Sequence, residues 1–190
     1  MPPHGRTVKP NAPAAPLSSL ADAATPRSPT VPLDGVDRQI LILLSQDSRR
    51  SQRALARELG MSAPAVGERI GRLERLGVIR GYGVRLDWSA AGYPMTVYLI
   101  ITAVQGYQQS AIVEKIANIP ELEELNIVTG AIDILARFRV RDHAHLRQLI
   151  MEHVWKIEGV HRTETSLSIL DIEAENLVAG LLSTPAAGPE

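Results

Sequence analysis

Apolar residues recur along this chain at two different spacings, and the change from one to the other divides it. From "LDGVDRQILILLSQD" onward, Val36, Ile40, Leu43 and Leu44 fall at helical intervals. Asp34 stands as an N-cap with Asp37 three residues later, the arrangement of a capping box. The stretch "SQRALARELG" predicts a second helix, capped by Ser51, with Leu55 and Leu59 inward and Gly60 ending it. After a short turn, Ser62 caps a third helix that tolerates Pro64 in its first turn, turns Val66, Ile70 and Leu73 to one side and stops at Gly77. Three short helices with a tight glycine-containing turn between the last two make the helix-turn-helix pattern. The next residues, "VIRGYGVRL", predict a short strand or wing.

Beyond "DWSAAGYP", a linker containing Pro94, the period shortens. "MTVYLIITAV" predicts a buried strand, "QQSAIVEKIANI" a helix with Ile112, Val113, Ile116 and Ile119 inward, and "LEELNIVTG" a second strand. In "IDILARFRV", Ile132, Ile134, Ala136, Phe138 and Val140 alternate with Asp133, Leu135, Arg137 and Arg139, as in a half-buried antiparallel strand. "HAHLRQLIMEHVWKI" returns to helical spacing through Leu146, Leu149, Ile150 and Ile157, and "VHRTETSLSIL" predicts a fourth strand. The order strand, helix, strand, strand, helix, strand is the ferredoxin-like βαββαβ arrangement, whose sheet keeps one face free of helices and usually needs a partner. The fold class expected is therefore α+β, a winged helix-turn-helix followed by a ferredoxin-like domain. The expected boundaries are an N-terminal arm at 1–32, the helix-turn-helix at 33–86, a linker at 87–94, the ferredoxin-like domain at 95–172 and a tail at 173–190. Within that tail, "DIEAENLVAGLL" suits a short amphipathic helix.

Composition changes this picture at three points. Residues 1–32 hold eight of the thirteen prolines and almost no large apolar side chain, so they are expected to be a disordered arm, with Arg6, Lys9 and Arg27 offering weak phosphate attraction. The absence of cysteine excludes disulfides, thiolate nucleophiles and cysteine-ligated metals, and favours a reducing cytoplasm. No apolar run approaches the roughly 18 residues of a membrane span, and no signal-peptide segment is evident, so a cytoplasmic protein without a membrane partner is expected. The net charge of -1 conceals a segregation: residues 33–86 carry ten arginines against six acids, whereas 87–190 carry seven basic and fourteen acidic residues. A basic middle beside an acidic remainder suits contact with a polyanion through the middle alone.

Projected at 100° per residue, the third helix turns Val66, Ile70 and Leu73 to the core, with Pro64, Glu68 and Arg75 opposite and Ala65 and Arg72 at one flank. Pro64 or Ala65 suits a thymine methyl, Glu68 a cytosine amino group, and Arg72 a phosphate or guanine. Glu68 and Arg72 equally suit a solvated i, i+4 pair. Arg69 lies nearer the core edge, where a salt bridge to Asp34 or Asp37 competes with a DNA contact. Ser62 opens this helix, and Arg49, Arg50, Ser51, Gln52 and Arg53 at the entrance to the second suit phosphate clamping, with Arg80 and Arg85 in the wing as similar, weaker contacts. Gly67 and Gly71 form a bare flank on the side away from Arg72. Histidines 143, 145, 153 and 161 raise a metal reading, but no third ligand follows "DHAH" at a recognisable spacing, and solvated helix-start residues are the simpler account. No nucleophile motif, Walker loop or dinucleotide glycine signature is present, so neither catalytic residues nor a cofactor are expected.

Taken in order, "LDGVDRQILILLSQDSRRS", "ALARELGMSAPAVGERIGRLERLGVIRGYGVRLD" and "VTGAIDILARF" resemble the Lrp/AsnC, or feast/famine, transcription regulators over roughly residues 33–171. The resemblance implies an N-terminal domain that binds double-stranded DNA. It also implies a C-terminal domain that senses an amino acid or related metabolite and assembles into dimers and commonly octamers. It points to Gly130 and Asp133 for the effector, with the neighbouring Ala131, and to Thr163 and Thr165 as wall residues. Backbone NH groups at a glycine turn can hold a carboxylate, and Asp133 an ammonium. Ala131 departs from the family, which often has an acidic residue there. The family also commonly carries a large residue in place of Gly67 and a basic one in place of Gly71, so a phosphate contact is lost here or the bare flank admits a close neighbour. The function implied is a sequence-specific DNA-binding regulator tuned by an amino acid. The alternatives are a siroheme decarboxylase-like enzyme on the same fold and a nucleoid-compacting architectural protein.

Overall fold

The computed structural model describes residues 30–183. Most of the expected arm, with Arg6, Lys9 and Arg27, and the last residues of the tail fall outside the described residues. Residues 30–87 and 170–183 pack as one unit and 88–169 as another.

In the first unit, α1 (Gly35–Gln46), α2 (Gln52–Leu59) and α3 (Ala63–Arg75) start where the side chains can accept the orphan amides of a first turn. Asp34 accepts the Asp37 N–H at 2.7 Å while Asp37 accepts the Asp34 N–H, so the expected capping box is formed. Ser51 caps α2 through Ala54 N–H and Ser62 caps α3 through Ala65 N–H. Gly60 stops α2 at φ +65°, a left-handed conformation that an L side chain resists, and so sets the angle at which α3 departs. Ile40, Leu43, Leu44, Leu55, Ala56, Val66, Ile70 and Leu73 are buried between the three helices. Each large apolar side chain there contributes about 1.5–3 kcal/mol by leaving water. Among the described residues the expected strand or wing at 78–86 joins no sheet and has no hydrogen-bonding strand beside it. A short C-terminal helix, last in sequence, returns to α1.

The second unit runs β1 (Met95–Ala103), α4 (Gln109–Ala117), β2 (Leu122–Ile127), β3 (Ile134–Val140), α5 (His143–Leu149) and β4 (Val160–Leu167). Its four strands lie in the order β2-β3-β1-β4, every neighbouring pair antiparallel, which is the βαββαβ topology expected. On β3 the residues Ile134, Ala136, Phe138 and Val140 are buried and those between them half-buried. On β1, Val97, Leu99 and Ile101 share the buried face and meet Ile112, Val113 and Ile116 of α4 and Leu146 and Leu149 of α5. The helix expected through "HAHLRQLIMEHVWKI" instead widens to a π turn at Ile150–Val154, with Trp155 N–H donating to Ile150 O at 2.9 Å. Val154 is the fifth residue after Leu149, more than one α-helical turn, and the wider turn lets both enter the core. The last helix, α6 (Leu177–Ser183), belongs to the first unit, where Val178, Leu181 and Leu182 line one groove with Leu41, Leu44 and Ile79.

Candidate nucleic-acid interface and effector end

The outward side of α3 is built by its own core. Because Val66, Ile70 and Leu73 point inward, Pro64, Glu68 and Arg75 are left exposed, with Ala65 half-buried beside them. Arg75, opposite the core in the helical projection, joins this face. Its guanidinium reaches back along the helix, so that a Cβ on Gly71 would meet Arg75 Nη1 at 3.2 Å.

The bare flank has a neighbour from within the unit. A Cβ on Gly67 would come to 2.8 Å from Gln52 Oε1, so the start of α2 lies against α3 there. Gln52, expected on phosphate, thus also occupies the flank that lacks a side chain. Ser51 and Ser62 spend their hydroxyl acceptors on helix caps. Arg50, just before α2, pairs with Glu58 of that helix at 2.5 Å, whereas Arg49, Arg53, Arg75 and Arg80 are exposed and form no ion pair among the described residues. Tyr82, in the segment after α3, donates to Glu74 Oε1 at 2.8 Å. Burial first, then that bond to a carboxylate, raises its phenol to about 12.

Arg69 and Arg72 are engaged elsewhere. Arg69 Nη1 donates to Asp34 Oδ2 at 2.6 Å and to Asp37 Oδ1 at 2.9 Å, the structural pairing that its place near the core edge suggested. Arg72 Nη1 donates to Asp37 Oδ2 at 3.1 Å and its Nη2 to Pro32 O at 3.3 Å, rather than pairing with Glu68. Asp37 is only 2% exposed, and both its oxygens are used. The Asp37 backbone amide, then the Arg69 guanidinium, hold the Asp34 carboxyl below its usual range. Hydrogen bonds from Arg69 to Asp34 and then Asp37 raise the arginine in turn.

The effector candidates gather at one end of the sheet. Gly130 and Ala131 sit exposed on the turn between β2 and β3, with Gly130 at φ +125°, outside the range most side chains allow. Asp133 donates its N–H to Ile101 O at 3.1 Å and accepts Ala103 N–H through Oδ2 at 2.8 Å, where the β1 and β4 register breaks. Thr163 pairs with Ile101 from the other side and Thr165 with Leu99, so β1 alone separates the turn from β4. Successive strands lie about 4.8 Å apart, which puts Asp133 and Thr163 roughly 10 Å from each other. One residue here escaped the sequence reading: Trp155, 62% exposed, whose Nε1–H donates to Thr163 Oγ1 at 3.3 Å. It lies outside the apolar positions read for that helix, and it follows the π turn that brings it over β4.

The histidines divide as solvated and structural. His145 is buried; its Nδ1 accepts Arg141 N–H at 3.2 Å, which leaves Nε2 as the protonated nitrogen, donating to Glu121 Oε1 at 3.0 Å. Among the described residues no group of three or more potential ligands could hold a metal, and no helix is long and apolar enough to cross a membrane.

Two family models match the chain: the AsnC-type helix-turn-helix domain over residues 33–74 and the Lrp/AsnC ligand binding domain over 96–177. A helix-turn-helix-type transcriptional regulator of Pyrococcus abyssi is 39% identical over 137 residues, 72% of this chain and 86% of its own. The leucine-responsive regulatory protein of Salmonella typhimurium is 32% identical over 155 residues, 79% of this chain and 93% of its own. Among solved structures, an AsnC family transcriptional regulator from Agrobacterium tumefaciens superposes with a TM-score of 0.71 at 27% identity, over 75% of this chain and 94% of that one. A Neisseria meningitidis regulator in complex with L-Met shares the fold with a TM-score of 0.72 at 19% identity, over 75% and 94% of the two chains. Matched in this order, the two family models together cover more than half of the chain, and the chain belongs to the Lrp/AsnC family of helix-turn-helix transcriptional regulators.

Proposed function

We propose that α3 enters the major groove of double-stranded DNA, that an amino acid is sensed at the Gly130–Asp133 end of the sheet, and that the working form is a dimer or a larger homo-oligomer. The observation that carries this reading is the exposed side of α3. Pro64, Glu68 and Arg75 stand clear there with Ala65 beside them, and Arg49, Arg53 and Arg80 are exposed nearby in sequence. In the groove, Pro64 and Ala65 meet thymine methyls and Glu68 a cytosine amino group, while the arginines take phosphates.

At the sheet end, Asp133 Oδ2 is held by Ala103 N–H, which orients Oδ1 for an ammonium group. The Gly130 turn supplies the carboxylate side, and Thr163, Thr165 and Trp155 form a wall for the side chain. The L-Met complex of the Neisseria neighbour supports an amino acid as the class of ligand. We place the protein in the cytoplasm at the nucleoid, with a regulatory and not a catalytic role.

Two measurements test this. Titration of the DNA upstream of the protein's own gene should show binding that weakens steeply with salt and discriminates against a scrambled duplex; indifference to sequence would sink the groove reading. A thermal-shift screen of the amino acids should find at least one that raises the melting temperature, as any ligand specific to the native state must. Loss of that shift in Trp155→Ala or Thr163→Val places the site. These variants leave the Asp133–Ala103 bond intact.

A further inference from the structure

Two ionic pairs at matching intervals meet between α1 and α3. Asp34 and Asp37 lie one helical turn apart, as do Arg69 and Arg72, so one turn of carboxylates faces one turn of guanidiniums. Asp37 is the joint member, since it contacts both arginines and closes the capping box as well. Its side chain is 2% exposed, against 31% for Arg69 and 39% for Arg72, so the anion is interior and the cations reach in to it. Arg69 and Arg72 are two of the three arginines on α3, and the third, Arg75, has no ion pair among the described residues.

We infer that Asp37 is a positioning residue for DNA recognition: it holds Arg69 and Arg72 off the phosphate backbone and fixes α3 against α1, so that the helix reads with its bare Pro64–Glu68 face. This inference rests on the reading that α3 enters the major groove. The physical reason is competition. A guanidinium already bonded to a buried carboxylate would have to leave that anion unpaired to reach a phosphate, and an unpaired buried charge is strongly disfavoured. Sequence-independent attraction from α3 is thereby reduced to Arg75, and the weight of recognition shifts to contacts that depend on the bases.

The experiment is the salt dependence of binding, measured by fluorescence anisotropy with the protein's own upstream DNA and with a scrambled duplex of equal length. Each phosphate contact contributes about 0.9 to the slope of log K against log salt. Arg72→Gln and Arg69→Gln should leave that slope unchanged, whereas Arg53→Gln and Arg75→Gln should each lower it by about 0.9. Asp37→Asn, which keeps the shape and removes the charge, should raise the slope by about 0.9–1.8 and narrow the discrimination between the two duplexes on the order of tenfold. Adding Arg69→Gln and Arg72→Gln to Asp37→Asn should return the slope to its starting value.

A drop of about 0.9 in Arg72→Gln alone would put that side chain on a phosphate and overturn the inference. So would weaker binding in Asp37→Asn with no change of slope, the signature of a residue that only supports the fold. Should Asp37→Asn fail to fold, the two arginine variants decide the matter alone. If Arg53→Gln and Arg75→Gln also leave the slope unmoved, it is the placement of α3 in the groove that has failed, and the withholding of Arg69 and Arg72 falls with it.

Discussion

The two units solve the same problem, holding a small number of exposed side chains in place, by different means. In the sheet unit, fifteen buried residues and three antiparallel pairings define where the Gly130 turn, Asp133 and Thr163 stand. In the helical unit a smaller cluster of eight buried apolar residues does the equivalent work, and the orientation of α3 is reinforced by caps, a left-handed glycine and a four-membered ionic cluster. A sheet sets position through register, where a slip of one residue would turn every side chain over. A helix packed on a small core can still roll or slide, and polar ties with fixed geometry oppose that motion.

This contrast can be broken most sharply at the smaller core. Leu73 is fully buried, and Leu73→Ala should cost about 2–5 kcal/mol, enough to unfold the helical unit. Hydrogen exchange should then show protection lost in α1 to α3 and retained in β1 to β4. Equal loss in both would show that the units do not stand separately. At Gly60, φ +65° makes Gly60→Ala cost about 1–2 kcal/mol although no atom lies within 4 Å of the added carbon. Thermal melts should show this loss, together with weaker specific DNA binding from a misdirected α3.

Gly71→Ala should act in the opposite direction. The added carbon meets only the mobile end of Arg75, and replacing glycine within a helix stabilises it by up to about 1 kcal/mol. A melting temperature that falls instead would mean that the bare flank is needed by more than Arg75. The smallest effect expected is on acid stability. Asp34 and Asp142 both sit below their usual carboxylate range, each chiefly through a backbone N–H that it caps. A depressed folded value stabilises above the unfolded value near 4, and that contribution fades as pH falls through the lower folded values. Melts from pH 6 to pH 2 should therefore decline below about pH 4, and Asp34→Asn should flatten the part of the decline seen by probes in the helical unit.

Much of the architecture was legible because its signals are local. Asp34, Ser51 and Ser62 cap their helices through amides three residues on, and Gly60 stops α2 through a carbonyl four residues back. The alternation in β3 needed only its own residues. Arg69 was legible as a structural residue because its angle on α3 put it beside the α1 terminus. Arg72 was not, since at the flank of a helix its angle allows either a groove or a neighbour, and the choice is made by where Asp37 happens to lie. The π turn hid in a sequence whose apolar positions fit an ordinary helix nearly as well, and with it went Trp155.

By itself, then, the chain's pattern of polar and apolar positions determined most of the helices, their caps and the strand order in sequence, and the resemblance of its motifs pointed to the family. Short-range hydrogen bonding and burial periodicity act within a few residues, and a single sequence displays them. Tertiary structure alone decided which arginines of α3 are held by α1, that Gln52 of α2 covers Gly67, that Trp155 lies over Thr163, and that α6, near the far end of the chain, returns to α1. Those outcomes depend on contacts between residues far apart in the chain, where a side chain's partner is set by the packing of whole elements and not by its neighbours in sequence.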